Sequence, residues 1–128
     1  MKLQGKVAGV TGGGRGIGAV IARLFAREGA KLVLASRTRA ELEAVAKEIE
    51  RHGGQARAVP ADVANRQDAA RIIDPALPAF GRAAILVNGA GVYGPVGPLV
   101  EADASEWLRA FEIKVFGTFL CCHAALQH

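Results

Sequence analysis

Short runs of consecutive apolar residues alternate along this chain with stretches whose apolar positions recur every three or four residues. The runs read as buried strands and the periodic stretches as amphipathic helices. Strands are expected over residues 6–11, 31–35, 55–59 and 83–87. A first helix is expected over 15–28, with Ile17, Val20, Ile21, Leu24 and Phe25 on one face and Gly29 as its stop. A second covers 39–51, with Leu42, Val45, Ala46 and Ile49 on one face. Thr38, followed three residues later by Glu41, has the form of a capping box, and Gly53 suits the position just past the helix end. A third helix starts near Asn65, whose side chain can cap it. It should end or kink near Asp74, because a proline inside a helix removes a hydrogen bond and crowds the preceding turn, and Pro75 and Pro78 follow. The last helix begins at Asp103, with Glu106 three residues on, and reaches about Leu126. It carries two apolar stripes: Leu108, Phe111, Val115, Phe119, Cys122 and Leu126, then Ile113, Phe116, Leu120 and Ala124. One stripe can cover a sheet; the other needs a partner or meets water.

Strands separated by helices pair in parallel through right-handed crossovers. Strands that are apolar throughout are what helices on both faces require. The expected fold class is therefore α/β, a doubly wound parallel sheet of four strands in one domain over residues 1–128, with no repeat, linker or low-complexity segment.

The first strand-to-helix junction reads Thr11-Gly12-Gly13-Gly14-Arg15-Gly16-Ile17-Gly18. A glycine cluster in this context can bind phosphate, because the turn reaches positive φ and no Cβ keeps a pyrophosphate from the backbone. The following helix start offers free N–H groups and a positive dipole end. Gly12 is expected to make the sharp turn, Gly16 to lie under the pyrophosphate, and Gly18 to let helix and strand pack closely. Gly14, Arg15 and Ile17 complete the candidate loop.

The spacing T-G-x-x-x-G-x-G resembles that of the short-chain dehydrogenase/reductase family. Asp62-Val63 resembles the family's adenine-contacting pair after the third strand. Leu86-Val87-Asn88-Gly89-Ala90-Gly91 resembles its L-V-N-N-A-G segment, with Gly89 replacing one asparagine. Residues 107–126 resemble the long helix that follows. The resemblance spans essentially all 128 residues and implies a Rossmann-like sheet of order 3-2-1-4, incomplete relative to the family fold. It also implies a cofactor site in which Asp62 accepts from the adenine amino group beside Val63, while Asn88, Gly89 and Ala90 lie along a ribose. An ordinary turn or helix cap would equally explain Asp62.

An NAD site usually has a carboxylate about 20 residues beyond the glycines, holding the ribose 2′-hydroxyl. Here the second strand ends in Ala35-Ser36-Arg37-Thr38-Arg39, with none. A guanidinium pairs with a 2′-phosphate that a carboxylate would repel. Arg37, with the hydroxyl of Ser36 and the nearby Arg15, therefore favours NADP(H) over NAD(H).

The family manages the substrate proton with a serine and a Y-x-x-x-K pair. The chain has a single tyrosine, Tyr93, with Gly97 where the lysine would stand, and its serines are Ser36 and Ser105. No catalytic residue is therefore assigned; the family's set is expected beyond His128. Lys114 occupies the position where the family usually has the asparagine of a proton relay, and a charged lysine cannot accept a hydrogen bond. Three readings stay open. The first is the N-terminal, cofactor-binding part of an NADP-dependent oxidoreductase acting on alcohol or carbonyl groups, inactive alone. The second is a non-catalytic NADP-binding or redox-sensing module. The third is a degenerate interaction protein that dimerises through its last helix. By resemblance the last helix packs against a partner subunit, so a homo-oligomer is expected.

Composition narrows the classes. The chain is 51% hydrophobic and 22% charged, enough for a packed core. The net charge of +4 comes with arginines scattered from Arg15 to Arg109 and with aromatics at only 5%, unlike a nucleic-acid strip. Cys121 and Cys122 are neighbours and poorly placed to bridge each other. His52, His123 and His128 show no metal-ligand spacing. The N-terminus lacks a signal pattern, and the most apolar stretch, residues 115–126, is too short to span a bilayer. A cytoplasmic location is expected, with no metal and no membrane or nucleic-acid partner.

Overall fold

The computed structural model describes residues 1–74 and 80–127. Four strands, β1 (Val7–Thr11), β2 (Lys31–Ser36), β3 (Gln55–Pro60) and β4 (Ala83–Asn88), form one parallel sheet of order β3-β2-β1-β4. Val7 stands opposite Lys31 and Thr11 opposite Ala35. On the other side Thr11 stands opposite Asn88. The chain thus winds outward from β1 to β3 and then returns to place β4 on β1's free side. Helices α1 (Gly16–Arg27), α2 (Arg39–Arg51) and α3 (Arg66–Ile73) supply the crossovers, and α4 (Ala104–Phe111) and α5 (Gly117–Leu126) follow β4.

Alternation along the strands divides the core into two layers. Ala8, Val10, Leu32 and Leu34 pack with Leu42, Val45, Ala46 and Ile49 of α2 and with Ala19 and Ala22 of α1. Val7, Val33, Ala35 and Val59 face the other way, onto Ile72 and Ile73 of α3 and Cys121 and Ala124 of α5. Both faces of β1 and β2 are covered, which is why their runs are apolar throughout. The edge strands β3 and β4 are only partly buried, and β3 carries Arg57 in its middle.

Several local expectations are corrected. The sheet-facing side of α1 is Gly18, Ala19 and Ala22, whereas Ile17, Val20 and Leu24 are exposed. Small residues let helix and sheet approach, which outweighs the larger apolar stripe in setting orientation. Thr38 makes no side-chain cap; Ser36 Oγ accepts the Thr38 N–H instead, at 3.3 Å. The helix after Asp103 runs without a break to Leu126, as expected, but with a π-helical segment, Glu112–Phe116, between α4 and α5. Its core face is Ala110, Ile113, Gly117, Cys121 and Ala124, while Leu108, Phe111, Val115 and Phe119 remain about half exposed. The caps at Asn65, which accepts from Asp68 N–H, and Asp103, which accepts from Ser105 and Glu106 N–H, form as expected. So does the positive φ of Gly53 at +86°. Helix α3 ends at Ile73, with Asp74 as its cap; Pro75 and Pro78 lie outside the described residues. Among the described residues, no helix is long and apolar enough to cross a membrane.

Candidate functional site

The order β3-β2-β1-β4 reverses the direction of winding between β1 and β4, and a crevice opens at the carboxyl ends of the strands at such a point. A cleft of about 530 Å³ lies there. It collects Gly12, Gly14, Arg15, Gly16, Ile17 and Gly18 from the first turn, and Ser36 and Arg37 from the end of β2. Asp62 and Val63 join them from beyond β3, and Gly89 and Ala90 from beyond β4. Twelve of the thirteen sequence-nominated residues therefore share one cavity. Asn88 is the exception. Its side-chain amide donates to Cys122 Sγ at 3.4 Å and ties β4 to α5 rather than lining the cleft.

The glycines divide the work of the turn. Gly12 has φ +67°, and a Cβ there would stand 2.5 Å from the Gly89 carbonyl oxygen. Gly18 is helical, and a Cβ on it would collide with the Gly12 carbonyl. Both are required by close backbone approach. Gly16 differs: its φ is +56°, yet nothing lies within 4 Å of its Cβ position. It stands at the first turn of α1, facing space, so a ligand can approach the helix's unpaired N–H groups.

Thr11, buried to 1% exposure, couples the two loops across the crevice. Its hydroxyl oxygen accepts from the N–H groups of Gly89, at 3.1 Å, and Ala90, at 3.2 Å. The hydroxyl can donate to the Val87 carbonyl at 3.4 Å. Farther along, the Gly13 N–H donates to the Ala35 carbonyl and the Ala61 N–H to the Ser36 carbonyl, so the ends of β1, β2 and β3 brace one another. The cleft's floor is a hydrogen-bonded frame and not a set of independent loops.

Asp62 is more elaborately held than a turn residue needs. Oδ1 accepts the Ala64 N–H at 3.0 Å, and Oδ2 accepts from Arg109 at 2.6 Å, reached across 47 residues from α4. Burial pushes the Asp62 carboxyl up, but the Arg109 and Ala64 hydrogen bonds and the charges of Arg109 and Arg37 outweigh it, leaving the group below its ordinary value. Val63 is buried and packs against Gly117, where a Cβ would stand 2.7 Å from its Cγ2.

The cleft is also lined by residues that the sequence does not nominate as cofactor-binding: Thr38, Glu41, Ala61, Gly91, Val92, Tyr93, Ile113 and Lys114, of which Lys114 stands out in the sequence only for the family's asparagine position. Glu41 enters because α2 starts beside the glycine turn, where Gly14 packs against it and Leu42. Lys114 lies on the π-helical segment, its ammonium 5.9 Å from the centroid of the exposed Tyr93 ring and its stem against Gly91. Trp107 stacks on Phe111 at 5.7 Å, outside the cleft. Burial, with Cys122 beside it, pushes the Cys121 thiol up to about 11, so it stays protonated at neutral pH.

Known proteins share this arrangement. Residues 6–128 match the family model for short chain dehydrogenase. An uncharacterised oxidoreductase of Methylorubrum extorquens is 40% identical over 128 residues, covering 99% of this chain and 51% of that protein. A metagenomic short-chain oxidoreductase solved in complex with NADP superposes with a TM-score of 0.92 at 37% identity, covering 99% of this chain and 57% of that one. A short chain dehydrogenase from Burkholderia cenocepacia, also solved with NADP, gives 0.93 at 35%, covering 100% and 52%. The chain spans about half the length of the relatives it matches. A glycine turn at the β1–β4 switch point, the strand order and the match over residues 6–128 place this chain in the short-chain dehydrogenase/reductase family.

Proposed function

We propose that residues 1–128 are the cofactor-binding part of an NADP-dependent short-chain oxidoreductase, whose reaction is hydride transfer between NADP(H) and an alcohol or carbonyl substrate. The observation that carries this reading is the convergence of the glycine turn, Arg37 and Asp62 in one cleft, with open space over Gly16. On this reading the first turn of α1, with Gly14, Arg15, Gly16 and Ile17, holds the pyrophosphate. Ser36 and Arg37 hold the 2′-phosphate, Asp62 and Val63 border the adenine, and Gly89 and Ala90 flank a ribose. The bound dinucleotide supplies the hydride chemistry. The chain's own contribution is to bind and orient it. Residues 1–128 contain no Y-x-x-x-K pair, so they are expected to bind cofactor without turnover by themselves. The two solved relatives named above carry NADP, which agrees with the choice of phosphate-bearing cofactor. The location that follows is the cytoplasm.

The exposed faces of α4 and α5 support a second part of the proposal, a homo-oligomer formed through this helical pair. Trp107, Leu108, Phe111, Val115 and Phe119 lie there, each about half exposed. Fluorescence titration with NADPH and NADH tests the cofactor assignment. NADPH should bind more tightly, and Arg37→Asp should weaken NADPH by about tenfold or more, since a charge-assisted pair is lost and a repulsion gained. Equal affinities in the unaltered chain would refute it.

A further inference from the structure

Asp62 is fixed from two sides. Its main chain is held by α3: its N–H donates to Asp68 Oδ2 at 2.9 Å, and its carbonyl accepts the Asn65 N–H at 3.0 Å. Arg71 secures Asp68 at 2.9 Å and reaches the Pro60 carbonyl at 3.3 Å. Its carboxylate is held from the opposite side by Arg109 of α4, whose guanidinium also lies 3.7 Å from Glu112. Each Asp62 oxygen accepts one hydrogen bond, and a carboxylate offers about four acceptor sites. Acceptor capacity therefore remains, and the residue lines the cleft. A purine with an exocyclic amino group can donate to it, whereas a keto oxygen at the same place would oppose acceptor to acceptor.

We propose that Arg109 is a positioning residue that sets base selectivity in this cleft, by holding Asp62 as an aimed acceptor for an amino-bearing purine. The proposal rests on the dinucleotide reading given above. A lysine could supply the charge but not the planar fork.

The test compares two ligands on the full-length protein: NADPH and its hypoxanthine analogue, in which a keto oxygen replaces the adenine amino group. The unaltered protein should bind NADPH at least about tenfold more tightly than the analogue. Arg109→Ala should cut that ratio to about twofold or less, mainly by weakening NADPH, with Arg109→Lys intermediate. In an Asp62→Ala background, Arg109→Ala should change the ratio no further, which a merely structural role would not produce. Should Arg109→Ala lose its native circular dichroism spectrum, Arg109→Gln, which keeps a donor, takes its place in the same comparison. An unchanged ratio in the Arg109 variants, or an equal loss for both ligands, would overturn the proposal. NADPH binding with no base discrimination in the unaltered protein would overturn it alone, and binding of neither ligand would overturn the dinucleotide reading with it.

Discussion

Two glycines two residues apart should lose cofactor binding for different reasons under the same substitution. In Gly16→Ala, the new methyl meets nothing within 4 Å, so there is no steric clash with protein. The cost is the left-handed φ of +56°, about 1–2 kcal/mol for an L-residue. In Gly18→Ala, φ is helical and alanine is the better helix former by about 1 kcal/mol. Its methyl, however, would overlap the Gly12 carbonyl oxygen and lie 2.7 Å from the carbonyl carbon. Those atoms are backbone in a turn already closed against Gly89, so they cannot rotate away. Overpacking of this kind costs about 1–3 kcal/mol, and the turn must shift to accommodate it. Stability alone barely separates the two variants. Binding separates them: the Gly16 methyl occupies the space above the first turn of α1, so NADPH should weaken by at least about tenfold, or about 1.4 kcal/mol, at nearly native structure. Gly18→Ala should move the whole loop, so its binding loss should track its loss of stability. Urea denaturation gives the stability change, and fluorescence titration gives the affinity. Undiminished NADPH affinity in Gly16→Ala, with a native circular dichroism spectrum, would refute the argument that this turn is the phosphate site.

Thr11→Val should destabilise by about 1–2 kcal/mol, because it removes the acceptor of the Ala90 N–H and leaves the Gly89 N–H with only the Val87 carbonyl at 3.1 Å, while Thr11→Ser should recover most of the loss in urea melts. The Asp62 carboxyl is held below its ordinary value, so its contribution to stability is complete above the unfolded value near about 3.9 and is lost as pH falls through the lower folded value. Asp62→Asn should therefore flatten that part of the acid limb, and an unchanged acid limb would contradict the pairing with Arg109. Sedimentation at several concentrations should show self-association that Phe111→Glu weakens, since Phe111 is half exposed beside the stacked Trp107.

What was legible in the sequence was whatever depends on local pattern. Apolar runs between periodic stretches suffice for parallel strands with crossover helices, and a glycine cluster between strand and helix has few physical uses. The strand order came from the family resemblance and is the observed one. Twelve nominated residues meet in one cleft because they cluster after the carboxyl ends of parallel strands, where the winding itself gathers them. The rest depended on contacts distant in sequence. The larger apolar stripe of α1 faces outward because Gly18, Ala19 and Ala22 allow the closer approach to the sheet, a choice made by the packed pair and not by either element. Asn88 turns away from the cleft toward Cys122, 34 residues on. Thr11 becomes the bridge between two loops only when β1 and β4 lie side by side. The Arg109–Asp62 pair has no local signature at all, since periodicity places an arginine on a helix face but cannot say what that face meets. Local sequence determines which backbone shapes are available, and only the packed sheet decides which side chains share a space.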